Sequence, residues 1–114
     1  MHTNICLIGS SRFESEFRRL EVDLSIKGYI VLSPLVYNQS GDNPGCGKES
    51  KKILDYVQQE KIRQSDIVLV VDVDGYVGSS TKKQIAYAKL LNRPLLYFSK
   101  GDLETLEKGV EVWK

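Results

Sequence analysis

Five consecutive apolar residues, Ile67-Val68-Leu69-Val70-Val71, run without any polar alternation. A strand that is apolar on both faces must be covered on both, and in globular domains that cover comes from helices flanking a parallel sheet. Ile5-Cys6-Leu7-Ile8, closed by Gly9, carries the same signature near the start of the chain. Strands of this kind are joined by helical crossovers, so the pair constrains the sequence to an α/β arrangement before any helix is counted.

The segments between them fit. Ser11 and Glu14 have capping-box spacing, and Phe13, Phe17, Leu20 and Leu24 then recur at helical intervals until Lys27-Gly28. Tyr29-Ile30-Val31-Leu32 reads as a second strand, and Ser33 to Lys48, with two prolines and three glycines, as a long loop. The spacing predicts a second helix over Glu49 to Gln64, with Ile53, Leu54, Val57, Lys61 and Ile62 on one stripe. After the central strand, Asp72 to Gly78 forms a loop, and Ser79 or Ser80 caps a third helix that turns Ile85, Ala88 and Leu91 inward. Pro94 opens a fourth strand, Leu95-Leu96-Tyr97-Phe98. A short helix over Asp102 to Lys108 and an edge strand at Val110 to Trp113 complete the reading. The expectation is one domain over residues 1–114, a flavodoxin-like doubly wound parallel sheet of four to five strands flanked by helices. Its ligand crevice would lie outside the carboxyl ends of the strands where the chain order reverses.

Composition narrows the partners. Sixteen basic residues against fifteen acidic ones leave a net charge of +1, so the dense basic surface that grips a phosphate backbone is missing and nucleic acid is not an expected partner. Two cysteines, Cys6 and Cys46, lack the number and spacing of a disulfide framework or a zinc site, and a reducing compartment fits them best. The start of the chain is too short and too poorly flanked for a signal peptide or a membrane span, so a cytoplasmic protein without membrane contact is expected. His2 is the only histidine, and no metal or other cofactor is expected.

Three loops could carry chemistry: Gly9 to Phe13, Ser33 to Lys48, and Asp72 to Thr81. Gly9-Ser10-Ser11-Arg12 offers close backbone approach, hydroxyls and a guanidinium, which suits an anion. Ser11 would equally cap the helix with nothing bound. Gly78-Ser79-Ser80-Thr81 repeats the arrangement at the third helix, and a doubly wound sheet sets it beside the first loop. Neither loop is a Walker motif or a dinucleotide fingerprint. Asp72 and Asp74 could accept hydrogen bonds from a ligand or serve in acid–base work, while Asp74-Gly75 is also an ordinary turn. Gln84 follows Thr81 by three residues and shares its side of the helix. Tyr37, with Asn38 and Gln39, makes the loop after strand two a candidate lid over the ligand.

Asp66 to Val71, Asp74-Gly75-Tyr76-Val77-Gly78, Thr81, Ile85, Tyr87-Ala88 and Pro94 together resemble the nucleoside 2-deoxyribosyltransferase-like superfamily, whose small bacterial and phage-borne members read roughly D-G-Y-I-G-E-S-T-x-x-E-I-x-Y-A. Gly9-Ser10-Ser11-Arg12 is similar to the nucleotide-hydrolysing branch, where that loop holds a 5′-phosphate. The resemblance implies a flavodoxin-like fold, usually a homodimer, that binds a nucleoside or nucleotide and cleaves or exchanges its N-glycosidic bond. That chemistry uses a carboxylate on the third helix as nucleophile at the anomeric carbon. Here the motif's nucleophilic glutamate falls on Gln84 and its other glutamate on Ser79, and a histidine frequent in the second helix falls on Gln58. A neutral amide supplies no anionic nucleophile, so covalent catalysis of that kind is lost or severely slowed. Three explanations stay open from the sequence: a substitution that traps substrate, another carboxylate such as Asp72 or Asp74 acting instead, or a nucleotide or sugar-phosphate binding module without turnover.

Overall fold

The computed structural model describes residues 3–35, 48–107 and 109. Its strands are β1 (Asn4–Gly9), β2 (Ile30–Leu32), β3 (Ile67–Val71) and β4 (Leu95–Tyr97), and its α-helices are α1 (Glu14–Ile26), α2 (Lys48–Gln64) and α3 (Ser79–Leu90). All the pairings are parallel, in the order β2-β1-β3-β4. The chain therefore moves outward from β1 to β2, returns across it to β3, and continues to β4. The reversal falls between β1 and β3, whose register runs from Ile5 opposite Ile67 to Gly9 opposite Val71.

The unalternated strands resolve into two cores because successive side chains point to opposite faces. Ile5, Leu7, Leu69 and Val71 pack with Phe17, Leu20 and Leu24 of α1 on one face. Cys6, Ile8, Val68 and Val70 pack with Ile62 of α2 and Ala88 of α3 on the other. Helices thus cover both faces, as the apolar runs required.

Several local expectations are corrected. Ser11 does not cap α1: a 3-10 turn over Ser11–Phe13 precedes the helix, Ser10 caps that turn with its Oγ accepting from the Arg12 amide at 3.3 Å, and the N-cap of α1 itself is Phe13, without a side-chain cap bond. Buried Phe13 packs into the α1 core and so sits in this turn, which moves the α-helical start to Glu14. At α3 the N-cap is Gly78 rather than Ser79 or Ser80, with no side-chain cap bond. On α2 the stripe splits. Ile62 is fully buried and Leu54 half-buried, whereas Ile53 and Val57 face out of the described chain, because the sheet meets the helix along Gln58 and Ile62. β4 ends at Tyr97, where the chain enters a 3-10 turn over Phe98–Lys100, and the expected last helix is a 3-10 segment over Asp102–Leu106. Val110 to Trp113, Cys46, and the loop residues Tyr37, Asn38 and Gln39 lie outside the described residues. Among the described residues no helix is long and apolar enough to cross a membrane.

Candidate functional site

Two walls of the site begin where strands end. β1 stops at Gly9, where a side chain has no room: a Cβ there would stand 2.7 Å from the Val71 carbonyl oxygen and 3.1 Å from Cζ of Phe17. The chain consequently passes close over the carboxyl end of β3 and turns through Ser10 and Ser11. β3 stops at Val71, and after the turn at Val73–Gly75 the backbone reaches Gly78 and α3. The first amides of a helix have no intrahelical acceptor, and here no side chain caps them. They carry the positive end of the helix dipole.

Between these two turns opens a cleft of about 280 Å³, just below the range of about 300–1,000 Å³ usual for small-molecule sites. Gly9, Ser10 and Ser11 line one side, and Gly78, Ser79, Ser80, Thr81 and Gln84 another. The structure therefore brings together the two Gly-Ser turns and the glutamine that the sequence singled out separately. Thr81 is buried, and Gln84 is half-buried one turn further along α3. Pro34 and Leu35, just after β2, form part of the rim. Ser33 is tied down by two contacts: its Oγ donates to Glu21 Oε2 at 2.8 Å, and its carbonyl accepts from Lys61 Nζ at 2.7 Å.

Arg12 stands outside the lining residues. Its guanidinium lies over the Tyr76 ring, 3.7 Å from the centroid, and Phe13 meets the same ring edge-on at 6.1 Å. Tyr76 itself lines the cleft, so Arg12 is joined to the site through the aromatic ring. Asp72 and Asp74 are not among the lining residues either. Asp72 is 5% exposed and accepts from Ser99 twice, Oδ1 from the amide at 2.8 Å and Oδ2 from the hydroxyl at 2.7 Å. Asp74 is exposed, in the left-handed region at φ 55°, as the first half of the turn with Gly75.

The third wall is α2, which supplies Lys51, Leu54, Asp55 and Gln58. Sequence reasoning did not assign Lys51, Leu54 or Asp55 to the site, and Gln58 entered only as a departure from a motif. A signal was present: positions 51, 54, 55 and 58 follow the i, i+3, i+4, i+7 spacing of one helical face. Gln58 is 8% exposed, and its Nε2 donates to Cys6 Sγ at 3.7 Å. Cys6 is itself fully buried, and burial pushes its thiol up to about 12, so it stays protonated and donates to the Leu7 carbonyl at 3.8 Å.

No family model matches the chain, and no curated protein matches it in sequence. Among solved structures it is similar to a 2-deoxyribosyltransferase from the psychrotolerant bacterium Bacillus psychrosaccharolyticus, described as a biocatalyst for the synthesis of antiviral and antitumoral nucleosides. The TM-score is 0.63 at 18% identity, covering 83% of this chain and 71% of that one. At that identity the likeness establishes a shared α/β fold.

Proposed function

We propose that this chain binds a nucleoside or nucleotide in the cleft between β1, α2 and α3, with the anionic part of the ligand against Gly9, Ser10 and Ser11 and the turn from Gly78 to Thr81. The observation that carries this reading is the convergence of two Gly-Ser turns, one at an uncapped helix start, on a single cleft at the reversal of the sheet. The motif resemblance around β3 and α3, and the nucleoside chemistry in the name of the structural neighbour, give the ligand class. Arg12, one aromatic ring away, is available to a phosphate at the mouth. The resemblance also implies pairing of the kind general among small relatives, so we propose a homodimer in which residues 1–114 form one domain.

Gln84 decides between binding and turnover. Cleavage of an N-glycosidic bond by double displacement needs an anion at the anomeric carbon, and an amide at that position leaves a binder whose ancestral chemistry is glycosidic transfer or hydrolysis. The test is thermal melting with nucleoside 5′-monophosphates, nucleosides and inorganic phosphate, with chromatography of each mixture for free base. Stabilisation by monophosphates above that by nucleosides, without free base, is expected. Unchanged melting across the whole panel would overturn the reading, and base release by the unaltered chain would turn it toward an active N-glycosidase.

A further inference from the structure

The two Gly-Ser turns meet through a side chain. Beyond Gly9 opposite Val71, the last rung of the β1–β3 ladder, no hydrogen bond links residues 10–13 to residues 72–81 among the described residues. The link is Tyr76, which leaves the loop between β3 and α3 and meets two consecutive residues of the other turn. Arg12 lies over its face at 3.7 Å, and Phe13 meets it edge-on, with 76° between the ring planes. Phe13 is 9% exposed and belongs to the α1 core, so it braces the Tyr76 ring against the rigid part of the domain. The far end of the same ring reaches the start of α3, since a Cβ on Gly78 would stand 3.5 Å from the Tyr76 hydroxyl.

Stacking of this kind holds a guanidinium without consuming it. The positive charge is attracted by the ring face, while the N–H donors point outward in the plane of the group and stay available. Among the described residues no side-chain hydrogen bond or ion pair engages Arg12. An exposed arginine with nothing against it samples many rotamers, and ordering it when a ligand arrives subtracts from affinity. On Tyr76 that ordering precedes the ligand.

Resting on the nucleotide reading above, we propose that Tyr76 is a positioning residue for the anion: braced by Phe13, its ring holds the Arg12 guanidinium at the cleft mouth with its donors unspent. The chemistry served is a phosphate-like oxyanion, free or carried by a nucleoside, and the base takes no part in it.

Calorimetric titration of the whole chain with inorganic phosphate, adenosine 5′-monophosphate and adenosine tests the proposal. Tyr76→Leu removes the ring at a position 40% exposed, and should weaken monophosphate binding about fivefold or more while adenosine binding stays within about twofold. Tyr76→Phe, which keeps the ring, should restore it. Arg12→Ala should weaken monophosphate binding about tenfold or more, and adding Tyr76→Leu to that variant should cost no more than about a further twofold, because ring and guanidinium act as one unit. A like loss for inorganic phosphate assigns the contact to any phosphate, and a loss confined to the monophosphate assigns it to a nucleoside-borne one. Monophosphate binding unchanged in Tyr76→Leu, an equal loss in Tyr76→Phe, an equal loss for adenosine, or additive losses in the double variant would each overturn the positioning role and leave the anion site standing. Failure of the unaltered chain to bind either phosphate or monophosphate would instead remove the nucleotide reading, and this proposal with it.

Discussion

At the scale of single residues, the proposed chemistry turns on Gln84 and the response to pH on Cys6. Gln84 already lines the cleft one turn from Thr81, so Gln84→Glu changes charge at nearly constant size. The nearby start of α3 favours the ionised carboxylate. We expect the glutamate form to release free base from a bound nucleotide at least about a hundredfold faster than the glutamine form, the scale on which single electrostatic or nucleophilic groups contribute. Chromatography of both forms over a panel of deoxy- and ribonucleotides checks this, and equal release would mark a dedicated binder. Cys6 gives a pH prediction. Burial raises its thiol from an ordinary 9.0 to about 12, so above pH 9 the unfolded chain sheds a proton that the native chain keeps. The stability this group contributes is complete below the lower value and lost as pH rises through the higher one. Urea unfolding at about pH 8 and about pH 10.5 should show a larger loss for the unaltered chain than for Cys6→Ala, which has nothing to titrate there.

At the scale of elements, the cleft depends on how tightly β1 and β3 end. Gly9→Ala would drive a Cβ against the Val71 carbonyl, a backbone atom that cannot rotate aside. A cost of about 1–3 kcal/mol is expected, as for other overpacked sites, read as a lower urea midpoint. Asp72 fastens a different junction: by accepting both from the Ser99 amide and from its hydroxyl, it ties the end of β3 to the turn after β4. Asp72→Ala leaves that amide without its acceptor and should cost about 1–3 kcal/mol. Nucleotide affinity should hardly move, since Asp72 does not line the cleft. A loss of binding with stability intact would instead return Asp72 to the site.

At the scale of the whole molecule, an apolar face on α2 is left uncovered among the described residues. Ile53, Tyr56 and Val57 are 64%, 61% and 40% exposed along α2, beside the residues that line the cleft. Clustered apolar side chains of this kind mark association surfaces, and the proposed homodimer would bury them beside the site. Sedimentation at micromolar concentration should find a dimer, and Ile53→Lys combined with Val57→Lys should return it to monomer with the secondary structure unchanged. A monomer in both cases would remove the dimer and leave the fold untouched.

Apolar patterning carried the architecture because it reports a thermodynamic requirement: five unbroken apolar residues at Ile67–Val71 must be covered on both faces wherever they occur. Strand identity, parallel pairing and the flanking helices were all readable in that way. So were the two Gly-Ser turns, whose residue types are set by local backbone geometry. Helix boundaries and caps were less readable, since Ser10 and Ser11, or Gly78 and Ser79, differ too little in local preference to decide which one caps. The stripe on α2 misled for a related reason. Periodicity finds an apolar face but cannot say whether the sheet or another surface covers it, and the sheet meets Gln58 and Ile62 instead of Ile53 and Val57. Local sequence determined the strands, the turns and the residue types available at each turn. Only tertiary packing decided that Asp72 is spent on Ser99, that Arg12 lies against Tyr76, and that Cys6, fifty-two positions away, holds the amide of Gln58. Those partners are set by strand order and helix placement, which no short window of sequence contains.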